Sequence, residues 1–111
     1  MASKDLVAAS ARPLVLALLA RGESYGYALI DEIREQSGGA LEWSEGMLYP
    51  VLHRLEAEGL IEAHWRSAPD SGRQRKYYRL RASGKKALAA ERTAWLEMHG
   101  VLTRVWKLGP A

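Results

Sequence analysis

The apolar positions along this chain change rhythm four times, and the order of the changes predicts its elements. Residues 6–20 are apolar nearly all round, with Leu14, Val15, Leu16, Leu18 and Leu19 following Pro13. Proline is tolerated in a first helical turn, so Ser10 is the expected cap of a helix that becomes regular after Pro13. Such a helix is buried on more than one face; whether Leu6 and Val7 extend it or form an arm stays open. In residues 25–36, Tyr27, Ile30 and Ile33 step along one helical face with Leu29 beside them, and Asp31, Glu32 and Glu35 mark the solvent side. Ser24 is the expected cap, Gly26 a site of close backbone approach, and Ser37-Gly38-Gly39 the left-handed stop.

A third helix follows Ser44. Leu48, Val51, Leu52 and Leu55 fall at i, i+3, i+4 and i+7, which defines its buried stripe, and Gly59 ends it. The other face presents Glu45, Tyr49, His53 and Arg54 behind Gly46 and Met47. Pro50 has no amide hydrogen and crowds the carbonyl of Gly46, so an irregular first turn or a bend is expected. Residues 41–43 allow only an edge strand or an extended linker. The rhythm then becomes two. Ile61, Ala63 and Trp65 alternate with Glu62 and His64 in residues 60–66, and Lys76, Tyr78 and Leu80 alternate with Tyr77 and Arg79 in residues 74–80. Residues 67–72 between them are turn formers throughout. Trp65 and one of the two tyrosines are expected in the core.

From residue 84 to 108 the period is seven: Leu88, Trp95 and Leu102 repeat, as do Met98 and Val105. Ser83 is the expected cap, and Gly100 costs up to ~1 kcal/mol relative to alanine. This stripe offers more apolar surface than so small a domain needs internally, and pairing with the same helix of a second copy is its natural outlet. Together these elements predict an α+β, mainly α fold: a winged helix-turn-helix in residues 1–82 and a long dimerisation helix in residues 83–111, forming a single structural unit.

Composition narrows the function classes. With 111 residues, 48% hydrophobic and 26% charged, the chain suits one globular domain. Phenylalanine is absent, so four Trp and five Tyr supply all aromatic packing. No apolar run approaches the roughly 20 residues of a membrane span, and residues 1–5 lack a signal-peptide design. The chain has no cysteine, which removes thiol chemistry and suits a reducing cytoplasm, the expected location. The three histidines lack metal-ligand spacing, and no nucleophile–base pair or phosphate-binding glycine loop is present, so neither a metal site, a cofactor nor an enzyme is expected.

Net charge is only +3, but it is unevenly placed. Residues 66–86 hold eight of the sixteen Lys and Arg and one of the thirteen acids, a local net of +7 against −4 for everything else. A solvated, basic strand pair is the ordinary explanation of such a run. Its place on a loop directly after an exposed helix turns the argument toward a polyanion surface.

Three blocks carry a family resemblance: Gly26-Tyr27; then Ser44-Glu45-Gly46-Met47-Leu48-Tyr49-Pro50-Val51-Leu52-His53-Arg54-Leu55-Glu56 with Glu58-Gly59-Leu60-Ile61; then Gly72-Arg73-Gln74-Arg75-Lys76-Tyr77-Tyr78-Arg79-Leu80. Over about residues 14–88 the chain resembles the PadR family of bacterial transcriptional regulators. The resemblance implies a DNA-binding winged helix-turn-helix, a C-terminal dimerisation helix and a near-palindromic operator in double-stranded DNA, with no membrane partner. The single last helix is similar to the small members of the family. Met47 stands where the family usually has a small or hydroxylated residue, and Arg81-Ala82-Ser83 replaces the usual Leu-Thr lead-in.

The candidate DNA-binding residues are Ser44, Tyr49, His53 and Arg54 on the third helix and Arg73, Arg75 and Lys76 on the hairpin. A tyrosine hydroxyl donates to phosphate, and arginine bonds base edges or backbone. Against this, Tyr49 also suits packing on the preceding helix, and Arg54 suits an i, i+4 pair with Glu58. In some small members of the family a planar hydrophobic effector lies between the paired last helices, beside a tryptophan that Trp95 resembles. Trp95 and Trp106 are thus the candidate effector residues, with plain dimer packing as the other reading. A winged-helix module that binds only protein is the rival to DNA binding as a whole; its kind usually lacks a basic wing.

Overall fold

The computed structural model describes residues 3–108, in the order α1 (Lys4–Ala20), α2 (Gly26–Gln36), α3 (Glu45–Ala57), β1 (Ile61–Ser67), β2 (Gln74–Leu80) and α4 (Ala82–Leu108). Residues 109–111, part of the expected C-terminal unit, lie outside the described residues. The architecture is the expected one, while several caps and faces differ from the pattern reading.

Helix α1 starts earlier than expected. Ser3, not Ser10, is its cap: the Ser3 hydroxyl accepts from the Leu6 amide at 3.2 Å, while Ser10 donates to the Val7 carbonyl inside the helix. Leu6 and Val7 therefore belong to the helix, and Pro13 lies within it. Ser24 is likewise not the cap of α2. Its amide donates to the Tyr78 carbonyl at 3.0 Å and its carbonyl accepts from the Tyr78 amide at 2.8 Å, an antiparallel bridge that adds a third, one-residue strand beside β2. Drawing Ser24 into the sheet moves the start of α2 to Gly26. Leu29 and Ile33 then face the core, and Tyr27 is 67% exposed rather than buried. Residues two apart lie about 200° apart around a helix, so Tyr27 and Leu29 cannot share a face.

Leu48, Leu52 and Leu55 of α3 are completely buried. Each contributes ~2 kcal/mol, and together they decide how α3 is rotated. Ser44 caps it as expected, accepting from the Met47 amide at 3.3 Å. The helix remains one α-helix through Pro50. The carbonyl that Pro50 leaves unbonded belongs to exposed Gly46, where water can satisfy it. Residues 41–43 form no strand, and Trp43 is buried.

Strands β1 and β2 pair antiparallel from Ile61↔Leu80 to Ser67↔Gln74. The hairpin closes with the Ala68 amide donating to the Arg73 carbonyl at 2.7 Å and with Gly72 at φ 71°. One of the two central tyrosines, Tyr78, is in the core as expected, and Tyr77 is buried as well, on the opposite face of the sheet. Trp65, expected in the core, is 64% exposed. It shares a face with Ile61 and Ala63, but burial along β1 falls away from Ile61 toward the hairpin tip.

Helix α4 begins at Ala82, one residue before the expected cap. Ser83 instead donates to the Gly59 carbonyl at 2.6 Å, and the Arg81 amide donates to the Leu60 carbonyl at 2.9 Å. A Cβ on Gly84 would overlap the Leu60 carbonyl and the Leu80 side chain, so only glycine allows this approach. Ala87 and Leu88 pack against the core, and Arg12 of α1 pairs with both Glu58 at 2.7 Å and Glu91 at 3.0 Å. Beyond Glu91 the helix leaves the body and exposes Trp95, Leu96, Met98, Val101, Leu102, Val105 and Trp106.

Candidate nucleic-acid interface

Packing of its leucine stripe turns Glu45, Gly46, Met47, Pro50, His53 and Arg54 of α3 outward. Tyr49 is half-buried, and its hydroxyl lies against Gly26: a Cβ there would sit 2.5 Å from it. Gly26 thus makes room for a side chain of α3, not for backbone as its sequence context suggests. Tyr49 sets the spacing of α2 and α3, and burial pushes its phenol pKa up. Its ring meets that of His53 at 6.1 Å. Tyr27, read from sequence as core, is instead exposed, and the neighbouring Glu45 carboxylate in the first turn of α3 raises its pKa. The two helices therefore meet through Tyr49 on the inside, while Tyr27 stays on the surface.

Ser44 is exposed, with its hydroxyl engaged in the cap. Arg54 is exposed and does not pair with Glu58, which Arg12 holds; among the described residues Arg54 has no ion pair. It lies on the side of α3 that borders an apolar groove of about 590 Å³ between α1 and α3, where Val7, Ala8, Trp43 and Val51 also line the wall.

The hairpin and the start of α4 carry cations of two kinds. Arg66, Arg75 and Arg79 are held by acids: Arg66 by Glu23 at 2.5 Å, Arg75 by Asp70 at 3.5 Å and Arg79 by Glu62 at 2.5 Å. The hydrogen bond from Arg79 lowers the Glu62 pKa. Arg73, Lys76, Arg81, Lys85 and Lys86 have no ion pair among the described residues. Arg73 stands exposed near the hairpin tip, and the Lys76 ammonium lies 5.4 Å above the Tyr78 ring. The face of the sheet away from the core carries an aromatic stack. The Arg75 guanidinium is 4.0 Å above Tyr25, Tyr25 meets Tyr77 edge-on at 5.5 Å, and Arg66 lies 4.0 Å above Tyr77. His64 stacks on Tyr77 at 6.0 Å and contacts Glu23 through Nε2 at 3.1 Å.

Sequence patterns missed the exposure of Tyr27 and Trp65 and the half-buried place of Tyr25 between Arg75 and Tyr77. Counting the helical phase from Leu29 exposes Tyr27; nothing local marks Tyr25, whose partners come from β2. Among the described residues there is no group of three His, Cys, Asp or Glu able to hold a metal ion, and no helix long and apolar enough to cross a membrane.

Two helices joined by a turn, the second with a solvent-facing surface, followed by a basic hairpin on the same body, define a winged-helix protein of the DNA-binding class. The family model described as the Transcriptional regulator PadR-like family matches residues 15–90. The chain is 36% identical over 95 residues to Transcriptional regulator Rv3488 of Mycobacterium tuberculosis, covering 86% of this chain and 84% of that one. Among solved structures it is similar to a transcriptional regulator from Clostridium thermocellum, with TM-score 0.83 and 27% identity over 94% of this chain and 97% of the other. A PadR family transcription regulator from Clostridium difficile superposes with TM-score 0.78 and 28% identity, covering 87% and 98%. The chain belongs to the PadR-like family of DNA-binding transcriptional regulators, whose members are regulators and not enzymes.

Proposed function

We propose that this regulator acts as a homodimeric repressor on a near-palindromic operator. The observation that carries the reading is the coincidence, on one folded unit, of an exposed α3 surface with Arg73 and Lys76, which have no ion pair among the described residues, and Arg75, whose one acid, Asp70, is 3.5 Å away and largely exposed. In this reading His53 and Arg54 meet base edges or backbone in the major groove, with Ser44 at the phosphates beside them, while Tyr49, its hydroxyl against Gly26, sets the helix spacing and does not reach the DNA. Arg73, Arg75 and Lys76 neutralise flanking phosphates. Two copies related by a two-fold axis place their α3 helices in successive major grooves, about 34 Å apart. The unpartnered apolar face of α4 supports the pairing, because a face of this size is otherwise left in water.

Selection of bound duplexes from a random DNA pool tests the reading as a whole. The expected product is an inverted repeat with half-site centres about 10–10.5 base pairs apart. No enrichment over the starting pool would return the protein to the class of winged-helix interaction modules, and single half-sites would remove the two-fold arrangement.

The reading extends to an effector between the paired α4 helices. Trp95 and Trp106 are 38% and 67% exposed. Eleven residues separate them, about 16 Å of helix, and the helical period returns them to nearly the same side. Two exposed indoles on one face suit a planar hydrophobic or phenolic compound, which would act by changing the angle between the helices. Such compounds are expected to quench tryptophan emission in the wild type and much less in Trp95→Ala; equal quenching in both sinks the effector site.

A further inference from the structure

We propose that Tyr25 is a positioning residue for DNA binding: it holds Arg75 in one orientation and so makes the hairpin's charge part of the rigid helix-turn-helix body. The inference rests on the reading of the hairpin as a phosphate contact. An arginine on an exposed hairpin ordinarily samples many rotamers, and ordering it on contact with DNA works against binding. Here the guanidinium of Arg75 already lies 4.0 Å above the Tyr25 ring. A cation held over a ring through its π-face does not spend hydrogen-bond donors on it, so the Arg75 N–H groups, one of which reaches Asp70, are available to the oxygens of a phosphate. Asp70, the acid nearest Arg75, is 3.5 Å away with a largely exposed side chain, a weak competitor that a phosphate can displace.

Tyr25 is itself held from two sides. Its ring meets Tyr77 edge-on at 5.5 Å and an interplanar angle of 72°, and Tyr77 is buried beneath Arg66 and His64. The neighbouring Ser24 is bonded in both directions to Tyr78. Tyr25 stands at the cap position of α2 yet makes no side-chain cap hydrogen bond, so its ring is not there to start the helix. Its position joins the first residue of the helix-turn-helix to the arginine on β2. Arg73 has no such platform and contributes charge without a set direction.

The test is a double-mutant cycle in the full-length protein, with a duplex recovered from the random pool. Affinities are measured for wild type, Tyr25→Ala, Tyr25→Phe, Arg75→Ala and the Tyr25→Ala/Arg75→Ala pair. Tyr25→Phe keeps the ring and is expected to bind within twofold of wild type. Tyr25→Ala is expected to lose about fivefold, and to lose nothing further once Arg75 is alanine. Multiplied losses in the double variant would overturn the inference, since they would show that Tyr25 acts independently of Arg75. A loss in Tyr25→Phe equal to that in Tyr25→Ala would overturn it in favour of a hydroxyl contact. A general loosening of the fold is separated by the same cycle, because it would weaken binding equally in the Arg75→Ala background. A wild type that binds no duplex removes the DNA reading and this inference together, whereas binding with independent losses removes this inference alone.

Discussion

Replacing Arg73 and Arg75 together by alanine is expected to weaken binding to every DNA sequence, by about tenfold to a hundredfold at moderate salt. Neither residue belongs to the hydrophobic core, so thermal stability is expected to change little. The diagnostic measurement is affinity across a salt series. Each phosphate neutralised by a cation releases counterions and adds about 0.9 to the slope of log affinity against log salt. Two residues in each of two protomers make four contacts, so the variant is expected to lose roughly three to four units of slope. Sequence preference is expected to survive, because phosphate contacts position the protein while the α3 surface reads the bases. An unchanged slope would show that the hairpin is not the phosphate clamp, leaving Lys85 and Lys86 at the start of α4 as the cations to examine.

The second large effect concerns pairing. Val101→Glu with Val105→Glu is expected to give a monomer by sedimentation at concentrations where the wild type is a dimer. Both valines are exposed in the single chain, so the protomer tolerates the change. In a dimer paired along α4 the same positions are covered, and each buried carboxylate without a partner costs several kcal/mol. DNA affinity is expected to fall by about a hundredfold or more, because two half-sites are no longer held by one linked pair of reading heads. A persistent dimer would move the interface to the α1 side, where Val7 and Ala8 line the apolar groove. Removing α4 altogether is a poorer test. Gly84, Ala87 and Leu88 pack on the winged unit, and their loss would damage the fold itself.

The two outcomes also separate the parts of the molecule. The hairpin variant changes how strongly DNA is held and how steeply salt releases it, with the dimer intact. The α4 variant changes the oligomer first and DNA binding as a consequence. A hairpin variant that also lost the dimer would have its interfaces arranged differently from the proposal.

How much was legible in advance follows from the range of the interactions involved. The leucine stripe of α3 and the strand–turn–strand of the hairpin depend on near neighbours, and both stand in the structure where their periodicity put them. The caps at Ser10, Ser24 and Ser83 failed for a shared reason. A serine hydroxyl or its backbone takes whichever partner the fold brings near, and here those were the Val7 carbonyl, Tyr78 and the Gly59 carbonyl. Trp65 misled because alternation assigns a residue to a face of the sheet without saying how far along the strand that face stays buried. Tyr49 was left between packing and contact by its spacing, and its place beside Gly26 makes it a spacer between the two helices.

By itself, then, the sequence determined the order of elements, the buried stripe of α3, the concentration of charge on residues 66–86 and the family motif that joins them. These are properties of residue type and short spacing, and no other segment needs to be located to see them. The tertiary structure decided which cations are free and which are held. It brought Tyr25 from the start of α2 to Arg75 on β2, fifty residues later, through the Ser24–Tyr78 bridge. It also showed that the apolar face of α4 beyond Glu91 meets nothing within its own chain's core. Those facts depend on contacts between residues far apart in the chain, where local pattern is silent and only packing of the whole body selects the partner.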